Sequence, residues 1–227
     1  MSPLTGISSM ATKAVLADLA AAFTRSGGAE VAIESVGGVD AARRVRAGER
    51  YDLVVLASKP VDQLIAEGHL AAPRVDVVRS GIAVAVRAGA SRPDVGSEAA
   101  VKEAVRRAKS VSYSTGPSGD YLAGLFERWG IAAEIAARIV VPPPGRPVGS
   151  LVAAGEVELG FQQLSELLSL PGIDVLGPLP DAIQHLTTFS AGVGAHTARA
   201  DQARRFLEFL RSPATADIKR RHGMEPA

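Results

Sequence analysis

The stretch VDVVRSGIAVAVRAG, residues 75–89, reads as one unusually long β-strand, and it decides the fold predicted for this chain. Small residues, at 80–81, lie near its middle. A second long β-type run, HLTTFSAGVGA at 185–195, carries small residues at 190–192. Two such strands flanking an insert of roughly 100 residues are expected where a chain crosses twice between two α/β lobes.

Short apolar runs alternate with helical spacing on both sides of these strands, which predicts an α/β fold with mostly parallel sheets. We expect two Rossmann-like lobes, 1–80 with 190–227 and 81–189, joined by two crossover strands with a ligand cleft between them. A single sheet with two long central strands is the alternative. The shorter strands are predicted at 3–7, 31–35, 52–57, 110–114, 138–141 and 157–161.

Helices are predicted between these strands because their ends carry the expected signals. Ser97 stands where an N-cap belongs, and glycines follow four of the helical runs where a left-handed residue ends a helix. The predicted helices cover 39–48, 60–68, 97–110, 119–130 and 147–155, and two more follow residue 198 with a break at Ser212-Pro213.

Composition excludes several classes of protein. The chain has 227 residues, 47% of them hydrophobic, which is enough for a sizeable core, and its net charge of +1 gives no reason to expect nucleic acid as a partner. No apolar run is long enough for membrane insertion, and the absence of cysteine removes thiolate chemistry. The N-terminus has no signal-peptide pattern, so we expect a cytoplasmic protein as written, or a periplasmic one if a leader has been removed. A monomer or weak dimer is expected.

Hydrogen-bond donors without full charge follow nearly every predicted strand, and we expect no carboxylate among them. Ligands of open α/β sheets gather at the carboxyl ends of strands, beside helix N-termini, where such donors suit an anion. Each serine alone could instead be an N-cap or a turn residue. The predicted ligand-binding residues are Ser8, Ser9, Ser35, Gly37, Ser58, Ser112, Tyr113, Ser114, Ser118, Gly119, Gln162 and Gln163.

Other chemistries have little support in the sequence. The glycine pair near residue 37 lacks the Gly-Lys-Ser/Thr of a phosphate-binding loop, and no Gly-x-Ser-x-Gly elbow is present. The four histidines lie far apart without metal-ligand spacing. We therefore predict neither a metal nor a cofactor.

Five segments together resemble the molybdate-type periplasmic solute-binding proteins. The resemblance implies two α/β lobes that close over a ligand by hinge motion (the periplasmic-binding-protein-like II fold) and an ABC transporter permease as a partner. By position, it implies that Ser8 or Ser9, Ser35 and the segment 114–119 hold the anion. The Ser-Ser-Met at 8–10 departs from the family pattern, so an oxyanion and an organic di- or tricarboxylate both stay open. The segments are ISSMATKAVLADLAAAF (7–23), AGERYDLVVLASKPVDQLIAEG (47–68), VRSGIAVAVRAGA (78–90), AKSVSYSTGPSGDY (108–121) and GEVELGFQQLSELL (155–168).

The subgroup that the chain resembles is also similar to aconitate isomerase, which implies an alternative function. In that case the same cleft would isomerise an unsaturated tricarboxylate, and a titratable group would move a proton between two carbons. The catalytic candidates are Lys59, which follows a predicted strand, and His185, at the second long run. Each could equally be structural, Lys59 as a surface residue and His185 as a hinge residue. A ligand-sensing module that reports to a partner protein is a third alternative.

Overall fold

The computed structural model describes residues 2–143 and 145–227 of the protein, in which helices and strands alternate along most of the chain. Contacts between residues divide the chain into two units. Unit 1 comprises the chain up to Ser80 together with Thr187–Ala227, and unit 2 comprises Gly81–Leu186. Both long β-type runs are strands, as predicted. The predicted lobes, as bodies that move against each other, stay a prediction.

The strands and helices are numbered in chain order. The strands are β1 (Leu4–Ser9), β2 (Val31–Val36), β3 (Leu53–Ala57), β4 (Leu70–Arg87), β5 (Val111–Tyr113), β6 (Leu159–Gln163), β7 (Ile173–Pro178), β8 (Leu186–Gly194) and β9 (Glu225–Pro226). The helices are α1 (Lys13–Arg25), α2 (Gly38–Arg46), α3 (Ser58–Ala66), α4 (Glu98–Arg107), α5 (Pro117–Arg128), α6 (Ala132–Ile135), α7 (Val148–Ala153), α8 (Leu164–Leu167), α9 (Ala200–Arg211) and α10 (Ala216–Arg221).

Unit 1 is built on a sheet in which β1 lies between β2 and β3 and runs parallel to both. Strand β8 pairs antiparallel with β3. Alternate residues of β3 enter two different cores, Leu53 with Val55 in one and Val54 in the other. Helices α1 and α9 contribute to the first core and α2 and α3 to the second. A strand buried on both faces is typical of the centre of an α/β sheet, which explains the continuous apolar run.

Unit 2 contains a smaller sheet in which β5 and β6 are parallel, and β4 pairs antiparallel with both β6 and β7. One face packs on α4 and α5, where the ring of Phe126 lies 5.8 Å from that of Tyr113 and 6.2 Å from that of Phe161. The other face is covered by α7 and α8. The two faces of β5 and β6 therefore have different surroundings.

The predicted helix ends are confirmed. Gly48, Gly68, Gly130 and Gly155 all have positive φ angles, between 70° and 93°, which glycine adopts without the strain of a side chain. The Ser97 hydroxyl oxygen accepts a hydrogen bond at 3.1 Å from the backbone N–H three residues further on, as an N-cap does. Within residues 2–143 and 145–227, no helix combines the length and the apolar character that a membrane span requires.

The strand predicted at 138–141 is wrong. Ala136–Arg138 form a turn of 3₁₀-helix, and Ile139 makes an isolated bridge to Val111. The prolines at 142–143 follow directly, and proline has no N–H with which to extend a strand ladder.

The ends of two other strands lie further along the chain than predicted. Strand β1 runs through Ser9, because its serines keep the pairing with β2 in register as far as Ser9 and Val36. Strand β6 likewise runs through Gln163. The polar residues expected just after these strands are therefore their last residues.

Candidate functional site

The first group of predicted site residues lies at the carboxyl ends of β1 and β2 in unit 1. We call Ser8, Ser9 and Ser35 cluster 1. Ser8 and Ser35 are partners in the parallel ladder, and their hydroxyl oxygens lie 2.8 Å apart. Ser8 is fully buried and Ser35 is half-buried. The strand register thus brings together two hydroxyls that are 27 residues apart in sequence.

Ser9 does not act as a side-chain N-cap. It precedes the 3₁₀ turn that leads into α1, but its hydroxyl makes no capping hydrogen bond. In the described part of the chain this oxygen is buried and has no hydrogen-bond partner. A Cβ atom placed on Gly38, the first residue of α2, would lie 3.6 Å from the Ser9 Cβ. Ser9 is therefore an unpaired donor beside the start of a helix, where backbone N–H groups also lack helical partners.

The hydrogens of the Ser8–Ser35 pair can be counted. Two hydroxyls carry two hydrogens, and one of them is used between the oxygens. If Ser8 donates to Ser35, the hydrogen of Ser35 is free. If Ser35 donates instead, Ser8 donates its own hydrogen to the Ser9 carbonyl oxygen at 3.3 Å, and the pair has none to spare. In the first arrangement cluster 1 can therefore donate the Ser35 hydrogen to an acceptor that the described residues do not supply.

Ser58 and Lys59, after β3, have different surroundings. The Ser58 oxygen lies 3.0 Å from the carbonyl oxygen of Thr188 and 2.8 Å from the hydroxyl of Ser190. Ser190 in turn donates to the Asp76 carboxylate at 2.7 Å, so the single hydrogen of Ser58 is committed to one of its two neighbours. Lys59 is exposed. Ser58 is thus a poorer donor to a ligand than its position after a strand led us to expect.

A second group of hydroxyls lies at the carboxyl end of β5 in unit 2. We call Ser112, Ser114 and Ser118 cluster 2. The hydroxyl oxygens of Ser114 and Ser118 lie 2.8 Å apart at the start of α5, and this pair also has one hydrogen to spare. Ser112 is fully buried, and no described group forms a hydrogen bond with its hydroxyl. A Cβ atom on Gly119 would lie 1.7 Å from the Ser114 carbonyl oxygen, so the segment packs against α5 at a distance that only glycine permits.

Tyr113 and His185 are predicted site residues with aromatic neighbours. The Tyr113 ring packs edge-on against Phe126, on the opposite face of β5 from Ser112, and burial raises the pKa of its phenol. The His185 imidazole stacks on Tyr121 with ring centroids 4.7 Å apart. Burial lowers the pKa of His185, so its imidazole is neutral at neutral pH and can accept a proton.

Gln162 and Gln163 end β6, and both are buried. Gln162 is held at both ends of its amide: its oxygen accepts from the backbone N–H of Gly149 at 3.0 Å, and its nitrogen donates to Glu166 at 2.8 Å. Burial raises the pKa of the Glu166 carboxyl to about 7, against a small opposing effect of the hydrogen bond from Gln162. Glu166 is the residue that sequence reasoning missed.

The expectation that no carboxylate lies at the strand ends is therefore wrong for β6. Helix α8 begins directly after β6, and its third residue, Glu166, accepts a hydrogen bond from Gln162 near the end of the strand. The signal in the sequence was the spacing of Gln162 and Glu166 in GFQQLSE, but it depends on a helical turn that was not predicted there.

A cavity of about 510 Å³ lies at a different place in unit 1, beyond the amino end of β3. Its most buried polar residue, Asp52, accepts from the backbone and side chain of Thr5 and pairs with Arg199. These groups satisfy one another, so Asp52 has partners in the protein, unlike the hydroxyl of Ser9. Within residues 2–143 and 145–227, no group of three His, Cys, Asp or Glu side chains could hold a metal ion.

Comparison with known proteins identifies the architecture. The chain is 36% identical over 230 residues to an aconitate isomerase from a Pseudomonas species, which covers 98% of this chain and 87% of the relative. Its fold is similar to the periplasmic molybdate-binding protein of Azotobacter vinelandii, with a TM-score of 0.81 and 20% identity over 99% of both chains. The sulfate-binding protein SubI of Mycobacterium tuberculosis gives a TM-score of 0.80 and 14% identity, over 100% of this chain and 88% of that one.

These similarities confirm the predicted periplasmic-binding-protein-like α/β fold. The family of bacterial extracellular solute-binding proteins matches residues 4–225, almost the whole chain. The resemblance that the sequence segments indicated is thus confirmed, and the chain belongs to the family of bacterial extracellular solute-binding proteins.

Proposed function

We propose that the protein binds a small anion, and that the serine hydroxyls of cluster 1 and of cluster 2 are candidate donors to it. The observation that carries this proposal is a repeated arrangement: each cluster contains a hydroxyl pair at 2.8 Å that can offer one hydrogen to a ligand, and one buried hydroxyl without a described partner. A buried hydroxyl left unsatisfied costs about 1–3 kcal/mol. An anion supplies the missing acceptor, because it accepts hydrogen bonds at every oxygen and needs no donor.

The comparisons support both ligand chemistries that the sequence left open. The structural relatives are named for molybdate and sulfate, and the sequence relative is named for a tricarboxylate. Helix N-termini and serine hydroxyls suit either oxyanions or carboxylates. As a member of an extracellular solute-binding family, the protein would deliver this anion to an ABC transporter permease outside the cytoplasm. The expected monomer or weak dimer stays a prediction.

Titration calorimetry with molybdate, sulfate, citrate and cis-aconitate tests the proposal. We expect a loss of affinity of about 10- to 100-fold for Ser9→Ala and for Ser112→Ala, since each removes a candidate hydrogen bond to a charged acceptor. Neither variant should be less stable, because each of these hydroxyls lacks a described partner in the protein.

Ser97→Ala is the matched control. The same substitution there removes a true N-cap, so stability should fall by about 1 kcal/mol while affinity stays unchanged. Absence of binding by all four anions would overturn the proposal. Full affinity in both cluster variants would remove the serines from the site.

A second candidate function is isomerisation of an unsaturated tricarboxylate, which the 36% identity to an aconitate isomerase favours. A base must take a proton from one carbon while a proton is returned to another. Of the two residues predicted for this role, we favour His185, because its neutral imidazole can accept a proton, whereas Lys59 is exposed.

Proton NMR of cis-aconitate incubated with the protein in D₂O tests this candidate. Formation of the trans isomer with deuterium on carbon is the expected result, and His185→Gln should abolish it while Lys59→Met retains it. An unchanged cis-aconitate spectrum would leave the protein a binder.

A further inference from the structure

We propose that Glu166 is a positioning residue through which pH sets the anion affinity of cluster 2, acting on the amide of Gln162. This inference rests on the proposed function, because it concerns the same anion. As a neutral acid, Glu166 accepts a hydrogen bond from the amide nitrogen of Gln162 and adds no charge to this region. As a carboxylate, it places a negative charge beside the donors that the anion needs.

The strand register places Gln162, the partner of Glu166, on the same face of the sheet as Ser112 of cluster 2. Ser112 pairs with Gly160 in the parallel ladder of β5 and β6, so both face the same side of the sheet. A Cβ atom on Gly160 would meet side chains of α7, which identifies that side. Gln162, two residues beyond Gly160, faces the same way, and its oxygen accepts from Gly149 in α7.

The amide of Gln162 has a fixed orientation. Because its oxygen is held by the N–H of Gly149, its nitrogen must point toward Glu166, and both contacts have ordinary hydrogen-bond lengths of 3.0 Å and 2.8 Å. A change in the charge of Glu166 therefore changes the strength of a contact made by Gln162, which shares a face of the sheet with Ser112. The amide transmits this change because it cannot turn without losing the bond to Gly149.

The groups around Glu166 leave it as the titrating residue of this region. Helix α8 packs against β6 and β7, and its Leu167 packs with Ala83 and Ala85 of β4. The charged residues of β4 that lie nearest to this apolar stretch in sequence are Arg79 and Arg87. Strand β6 and helix α7 contain no ionisable side chain, and α8 contains no other. Strand β7 contributes Asp174, whose carboxylate is engaged with the backbone N–H of Gly89 and with Arg92. Burial is the main cause that raises the pKa of Glu166 to about 7, which places its titration in the neutral range.

Titration calorimetry with sulfate and with molybdate, between about pH 6 and about pH 8, measures the effect. The charge of both probes is constant over this range. We expect the affinity of the wild type to fall about five-fold over this range, toward the limit of about ten-fold that a shift of one unit in the pKa of Glu166 on anion binding would set at higher pH. In Glu166→Gln, which keeps an acceptor for Gln162 but cannot ionise, affinity should stay constant within two-fold.

Glu158→Gln is the matched control. It removes one negative charge from the same unit, at the other end of β6, where the carboxylate accepts from the backbone of Lys109. This variant should keep the pH dependence of the wild type. A parallel NMR titration should show the side-chain NH₂ signals of Gln162 moving with the ionisation of Glu166.

The outcomes separate the two proposals. If a probe binds and the wild type shows the same pH profile as Glu166→Gln, the role of Glu166 is overturned and anion binding stands. Gln162 signals that do not move with pH also overturn it. If neither probe binds at any pH, anion binding by these probes is overturned, and the role of Glu166 falls with it.

Discussion

In unit 1 the hydroxyl of Ser8 pairs with that of Ser35, and in unit 2 the hydroxyl of Ser114 pairs with that of Ser118, at the same distance of 2.8 Å. The neighbouring elements differ. The strand beside cluster 1 contributes the serine of the pair itself, whereas the strand beside cluster 2 contributes a glutamine backed by the half-buried Glu166. Equal donor sets can therefore respond differently to pH, because the response depends on the residues behind the donors.

The packing of the two clusters against their helices also differs. A Cβ atom on Gly38, beside cluster 1, would make an ordinary contact of 3.6 Å with Ser9. A Cβ atom on Gly119, beside cluster 2, would lie 1.7 Å from the carbonyl oxygen of Ser114. Cluster 2 is thus fixed by a close approach of backbone to backbone, and cluster 1 is fixed by the register of its strands.

The largest expected effect is that of Gly119→Ala. The added methyl group must displace the segment that carries Ser114, which costs roughly 2–3 kcal/mol of folding stability and separates the Ser114–Ser118 pair. Affinity for the anion should fall by about 100-fold or more. Urea unfolding and calorimetry measure the two effects.

Two alanine variants serve as controls for this prediction. Gly124→Ala lies in the same helix with open space around its Cβ position, and it should stabilise the protein by up to about 1 kcal/mol. Gly38→Ala should leave cluster 1 intact. If Gly38→Ala and Gly119→Ala had equal effects, the contrast in packing between the clusters would be wrong.

Some of this arrangement could be predicted from sequence. Helical spacing, glycine stops and the cap at Ser97 are local signals, and they predicted most elements correctly. The position of serines after strands was also visible. The Ser8–Ser35 contact was not, because it depends on the register between two strands, and a shift of one residue would separate the hydroxyls. Whether Ser58 has a spare hydrogen depends on Ser190, which is 132 residues away.

Glu166 could not be predicted as part of the site for a different reason. Its ionisation depends on burial, and its contact with Gln162 depends on a helix of four residues whose sequence has too few turns to show a period. Short helices and buried titratable groups are thus the features for which tertiary packing, rather than local sequence, decides the outcome.

The second prediction concerns the stability of Glu166→Gln, in which the serine pairs themselves are left unchanged. The pKa of Glu166 is raised by folding from an ordinary value of 4.5 to about 7, so the folded state holds a proton that the unfolded state has lost between these values. Wild-type stability should therefore be fully present below about pH 4.5, fall as pH rises to about 7, and stay lower above it.

Measured by urea unfolding, the variant should be more stable than the wild type at pH 8, by up to about 3 kcal/mol, and the advantage should vanish near pH 4. The matched change Glu158→Gln should show no such advantage. A difference between wild type and Glu166→Gln that is independent of pH would mean that Glu166 titrates elsewhere, and it would remove the electrostatic contrast between the two clusters.

The smallest expected effect compares two serines of unit 1 that both follow strands. Ser35→Ala removes a hydroxyl from the pair with a spare hydrogen, so affinity for the anion should fall by about ten-fold with little change in stability. Ser58→Ala removes a hydroxyl whose hydrogen is committed to Thr188 or Ser190, so stability should fall by about 1 kcal/mol and affinity should stay unchanged.

Ser118→Ala should behave like Ser35→Ala, because it belongs to the matching pair of unit 2. Calorimetry and urea unfolding of the three variants separate the two roles. A loss of affinity in Ser58→Ala equal to that in Ser35→Ala would show that the count of hydrogens does not identify the donors, and position after a strand would then be the better guide.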